Sequence, residues 1–109
     1  MPRSILIIIE SDPRQSGRAA EAVRIAAGIG AWKKVDVAVY LRGAAAMIAG
    51  EEAGEFVDGE NFARYLPLLE RRVYAQKGAM AAQPAVPIVE ITDEQLAGMA
   101  AARDCVLRF

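Results

Sequence analysis

Ser4-Ile5-Leu6-Ile7-Ile8-Ile9-Glu10 is an aliphatic, mostly β-branched run that stops at the turn cluster Ser11-Asp12-Pro13. Alternation is missing from it, so both of its faces need apolar cover, as in a strand at the centre of a parallel sheet. Downstream of the turn, Ser16 is a candidate N-cap for an alanine-rich segment reaching Ala31. In it Ala19, Ala22, Val23, Ala26, Ala27 and Ile29 recur at three- and four-residue spacings, which predicts an amphipathic helix. Val35-Asp36-Val37-Ala38-Val39-Tyr40-Leu41 is a second strand, and Arg42-Gly43 leads into a short apolar helix over Ala44 to Ala49. Strand, helix, strand, helix is the signature of an α/β protein with right-handed crossovers.

The remaining segments extend the pattern. Glu51, Glu52, Glu55, Asp58 and Glu60 fall in one stretch without a base and with glycines at 54 and 59, which reads as a mobile surface loop. Asn61 can cap a helix running to about Arg71, kinked by Pro67. Arg72 to Gln76 is a short strand, and the connector Gln83 to Pro87 leads to a fourth, Ile88 to Ile91. Thr92-Asp93-Glu94-Gln95 has a threonine cap, two acids in the first turn and glutamine at the capping-box position of a helix ending near Arg103. Cys105 to Phe109 is a last strand. The expectation is one domain over residues 1–109: a compact sandwich with a mostly parallel five-stranded sheet flanked by helices.

Composition narrows the function classes. A hydrophobic fraction of 54% in 109 residues exceeds what so small an interior hides, which predicts subunit contacts. A net charge of −1 argues against nucleic acid and anionic membranes as partners. The aliphatic run from Ile5 to Ile9 is too short for a membrane span and is followed by Glu10 and Asp12, unlike a secretory signal, so the expected compartment is the cytoplasm. Histidine is absent and cysteine occurs once, which removes the Ser-His and Cys-His pairs, the usual zinc ligand set and an internal disulfide. No catalytic residue, resident metal or cofactor is expected, and the chain reads more as a non-enzyme than as an enzyme.

Open parallel sheets bind ligands beyond the carboxyl ends of their strands. Those ends are Ser11 to Ser16, Arg42-Gly43, Gln76-Lys77-Gly78 and Thr92. A small-anion or nucleotide site there would draw on Arg14, Arg42, Tyr74 and Lys77. Arg14 and Arg18 flank a helix start, where the dipole disfavours cations, so either an anion offsets them or they pair locally as Arg14 with Asp12 and Arg18 with Glu21. The acidic stretch lacks the ordered spacing of a calcium loop. Arg71, Arg72 and Lys77 form a basic cluster in sequence that could pair with it between subunits. Cys105 lies beside Asp104 with no base to activate it, and reads as a packed, small apolar residue.

The terminus Asp104-Cys105-Val106-Leu107-Arg108-Phe109 resembles the Asp-Val-Ile-Leu-Arg-Phe ending of sulfur-relay subunits of the DsrE/DsrF family, the DsrF/TusC kind in particular. The aliphatic first strand, the alanine-rich helix, the Leu41-Arg42-Gly43 strand end and the segment from Thr92 onward are similar too. The resemblance implies a DsrE-like α/β fold and a role in intracellular sulfur metabolism, in a homo-oligomer or a hetero-oligomer with other DsrE-like subunits. Sulfur-carrying members place a cysteine after the third strand in a Val-Cys-x-x-Ser/Gly pattern. The matching stretch here is Val73-Tyr74-Ala75-Gln76-Lys77-Gly78, with Tyr74 at the cysteine position. A phenol cannot carry a persulfide, which implies a non-catalytic accessory or structural subunit. The alternatives are the small-anion module and a sulfur carrier that uses Cys105.

Overall fold

The computed structural model describes residues 3–31, 35–80 and 84–109. Five strands, β1 (Arg3–Ile9), β2 (Val35–Leu41), β3 (Val73–Gln76), β4 (Val89–Ile91) and β5 (Cys105–Arg108), form one sheet in the order β4-β3-β2-β1-β5. Every neighbouring pair is parallel. The long helix α1 (Arg18–Gly30) and the short α2 (Glu60–Tyr65) pack on one face, and α3 (Asp93–Ala101) packs on the other.

The alternation of β-strand side chains divides the core into these two layers. Ile7 and Ile9, with Val37, Val39, Leu41, Val73 and Ala75, face α1 and α2. Leu6 and Ile8, with Ala38, Tyr40 and Ile91, face Leu96 of α3. This is why the Ser4–Glu10 run has no polar alternate. Alanines 19, 22 and 26 are fully buried, and their small side chains let α1 lie close against the sheet.

Several local expectations are corrected. Helix α1 starts at Arg18 with Gly17 at its N-cap, while the Ser16 hydroxyl accepts only a long 3.4 Å bond from the Arg18 amide. The 44–49 helix is a 3-10 helix over Gly43–Ala49, and the acidic stretch is no loose loop. Glu51–Glu55 forms a second 3-10 helix, anchored by buried Ala53, with half-buried Phe56 packed on the core just beyond it. Asn61 does not cap α2, which begins at Glu60 after Gly59. Pro67 falls in a 3-10 helix, Leu66–Leu69, that takes over where α2 stops. The capping box at Thr92 is present, with the Gln95 amide donating to Thr92 Oγ1 at 3.2 Å and the Thr92 amide to Gln95 Oε1 at 2.8 Å. The connector's first residue, Gln83, lies outside the described residues.

Candidate functional site

Chain connectivity sets where a ligand would sit. From β1 the chain steps to β2, β3 and β4 in one direction across the sheet. It then crosses by α3, on the opposite face, to β5 at β1's other side. Strand order therefore reverses at β1, and the crevice beyond the carboxyl ends of β1 and its neighbours is the switch point of the fold. Phe109 closes that end of the β1–β5 pair, its carbonyl accepting from the amides of Glu10 at 2.8 Å and Ser11 at 3.2 Å.

Arg42 leaves β2 in this crevice. Its guanidinium carbon stands 5.6 Å from the centroid of the Tyr40 ring. Its Nε is 3.9 Å from Glu10 Oε1 and its Nη2 is 3.9 Å from Asp93 Oδ1, both beyond hydrogen-bond range. Arg108, at the end of β5, approaches the same Glu10 oxygen at 3.2 Å. Gly43 follows with a φ of +58°, a left-handed turn suited to glycine, and its amide donates to Gln76 Oε1 at 2.9 Å. That bond ties the end of β2 to the end of β3, where Gly78 makes a second left-handed turn at a φ of +84°.

Beneath Arg42, Tyr40 is wholly buried, and its hydroxyl has no hydrogen-bond partner among the described residues. Burial pushes the phenol's pKa up. Arg42 pulls it down by a smaller amount and Asp93 adds to the rise, so the group is a neutral donor and acceptor. The other buried polar side-chain atoms without a partner among the described residues are Arg42 Nε and Ser11 Oγ. All three belong to residues at or next to the carboxyl ends of β1 and β2, and a buried polar group left unmatched costs about 1–3 kcal/mol.

Of the four residues predicted for a ligand site, Arg42 is in this crevice. Tyr74 lies within β3 and not beyond it, half-buried, in register with Tyr40 and packed against the α3 layer. Lys77 is exposed just past β3, its amide bonded to the Ile91 carbonyl at 3.0 Å. Arg14 is engaged locally: its Nε and Nη2 donate to the two Asp12 carboxylate oxygens at 3.0 and 2.8 Å. That contact holds the Asp12 carboxyl below its ordinary range. Glu21 pairs with Arg24 and not with Arg18. The start of α1 is met by the chain's own Asp58, whose Oδ2 lies 2.5 Å from where a Cβ on Gly17 would sit.

Two further expectations are overturned. The basic cluster is split, because β3 separates Arg72 from Lys77, and Arg72 Nε instead donates to the Leu69 carbonyl at 3.1 Å. Cys105 is exposed. It opens β5 opposite Ile5, at the amino end of an edge strand with no strand on its far side among the described residues. Tyr40 was the residue that sequence reasoning missed. Its polar end in the otherwise apolar stretch Val37 to Leu41 was the available signal.

No helix among the described residues is long and apolar enough to cross a membrane, and no cluster of three or more metal-ligating side chains occurs among them. No protein-family model matches the chain, and neither does any curated protein sequence. The layers, strand order and parallel pairing define a DsrE-like α/β fold. A solved structure similar to it is the YchN protein from E. coli, with a TM-score of 0.79 and 20% identity over 100% of both chains.

Proposed function

We propose that this chain is a non-catalytic accessory or structural subunit that works as an oligomer in intracellular sulfur metabolism, without carrying sulfur at the strand-three position. The observation that carries the reading is the occupant of that position. Tyr74, where the resemblance places the relay cysteine, is a phenol half-buried in the α3 layer. Oligomerisation is supported by the second face of the sheet, where among the described residues one helix of nine residues serves five strands. Val89 and Val106, on that face in the two edge strands, are 52% and 37% exposed. A second subunit laid over them would hide apolar surface at about 25 cal/mol per Å².

Light scattering on the purified chain tests assembly, with a dimer or larger expected and dissociation on Val106→Asp with Val89→Asp. A monomer at tens of micromolar contradicts it. The sulfur reading is tested by supplying a donor persulfide and following sulfur uptake by mass spectrometry. Wild type is expected to take up none, and a Tyr74→Cys variant to take it up.

The exposure of Cys105 favours a second reading, a carrier that uses this thiol. Sulfur uptake on wild-type Cys105, abolished by Cys105→Ser, is the result that would put it first.

A further inference from the structure

We propose that the crevice between Arg42 and the α3 N-terminus binds a small oxyanion, held by the Arg42 guanidinium and the buried Tyr40 hydroxyl. The inference is independent of the subunit reading above. Tyr40 is fully enclosed, yet its hydroxyl is unmatched among the described residues, an arrangement native cores rarely keep without a partner. The Arg42 guanidinium, its carbon 5.6 Å from the centroid of the Tyr40 ring, donates no hydrogen bond within the described residues and stands 3.9 Å from each of two carboxylates. Its five N–H donors form a planar fork suited to the two oxygens of a carboxylate, phosphate or sulfate.

The surrounding charges are compatible with one added anion. Glu10 is already met by Arg108 at 3.2 Å. Asp93 has a side chain 78% exposed and can turn to water when the ligand arrives. The Arg42 contacts to Glu10 and Asp93 are loose, at 3.9 Å each, and its side chain is 38% exposed, so the guanidinium gives up little in turning to an added anion. The Thr92 amide is occupied by Gln95, whereas the dipole of α3 still favours negative charge at its first turn. The location, beyond the carboxyl ends of β1 and β2 at the switch point, is where such sheets hold ligands.

The test is titration of the full chain with sulfate, inorganic phosphate and acetate, each at constant ionic strength set by chloride, followed by amide NMR. Saturable shifts at Arg42, Gly43 and Asp93 are expected for at least one of the three. Tyr40→Phe and Arg42→Gln should each weaken that binding at least tenfold, and Asp93→Asn should tighten it severalfold. Tyr40→Phe removes one oxygen from the core and leaves the packing, so its effect reads on the site and not on folding. Absence of saturable binding by all three ions, shifts that chloride reproduces, or binding that Tyr40→Phe leaves unchanged would each overturn the proposal.

Discussion

Cys105 stands opposite Ile5 in the β1–β5 ladder and is solvent-exposed there, although Ile7, two residues further along β1, is completely buried. A thiol in that position is accessible to reagents without unfolding. Native protein should therefore react with a soluble aromatic disulfide at a rate within about tenfold of the denatured chain. Slow native labelling would contradict the exposure. Cys105→Ser should leave stability within ~0.5 kcal/mol, the usual range for surface changes.

Tyr40 and Phe differ by one hydroxyl, and at this position the hydroxyl has no partner among the described residues. Removing an unmatched buried polar group relieves its desolvation cost, so Tyr40→Phe should raise unfolding free energy by about 1 kcal/mol in ligand-free buffer. Urea denaturation measures this, and a loss of stability would show that the hydroxyl has a partner in solution.

Two glycines should respond oppositely to alanine. Gly28 lies inside α1 with nothing within 4 Å of an added Cβ, so Gly28→Ala should stabilise by roughly 0.5–1 kcal/mol through helix propensity. At Gly59 an added Cβ would press on the carbonyl oxygens of Ala53 and Gly54, at 2.5 Å from the latter. These are backbone atoms and cannot turn aside as a side chain would. Gly59→Ala should lower the thermal midpoint, with a cost of about 1–3 kcal/mol typical of overpacking.

Thr92 supplies one bond of a reciprocal cap and Gln95 the other. Thr92→Ala should cost about 1 kcal/mol. The loss should appear as faster amide exchange in the first turn of α3, a short helix that covers the second layer. Equal exchange in both proteins would show that packing alone maintains the turn.

Asp12 and Glu21 titrate below their ordinary values of 3.8 and 4.5, chiefly because the Arg14 and Arg24 side chains hydrogen-bond to them. A depressed carboxyl favours the folded state above its unfolded pKa. That contribution fades as pH falls from the ordinary value through the folded one. Both pairs are exposed, so the effect is small and weakens with salt. Carbon-detected NMR titration of Arg14→Gln should show the Asp12 midpoint moving up toward 3.8, and an unmoved midpoint would contradict the pairing.

The α/β class and the existence of five strands, in their succession along the chain, could be read from local sequence. The cap at Thr92 could be read too, because these depend on side-chain periodicity and on bonds spanning a few residues. The unalternating Ile5–Ile9 run needs cover on both faces wherever it is placed, and Thr92 and Gln95 lie within one turn of each other. Tertiary structure decided the rest, through relations among distant residues. It made β5 an edge beside β1 and thereby exposed Cys105, whose local run of Val106 and Leu107 suggests burial. Asp58 arrives at the start of α1 from a distant segment, and β3 holds Arg72 and Lys77 at its opposite ends. The same packing encloses Tyr40 with its hydroxyl unmatched beneath Arg42 and places Glu10 and Asp93 on either side. Burial and charge proximity are properties of the assembled sheet, and no window of sequence contains them.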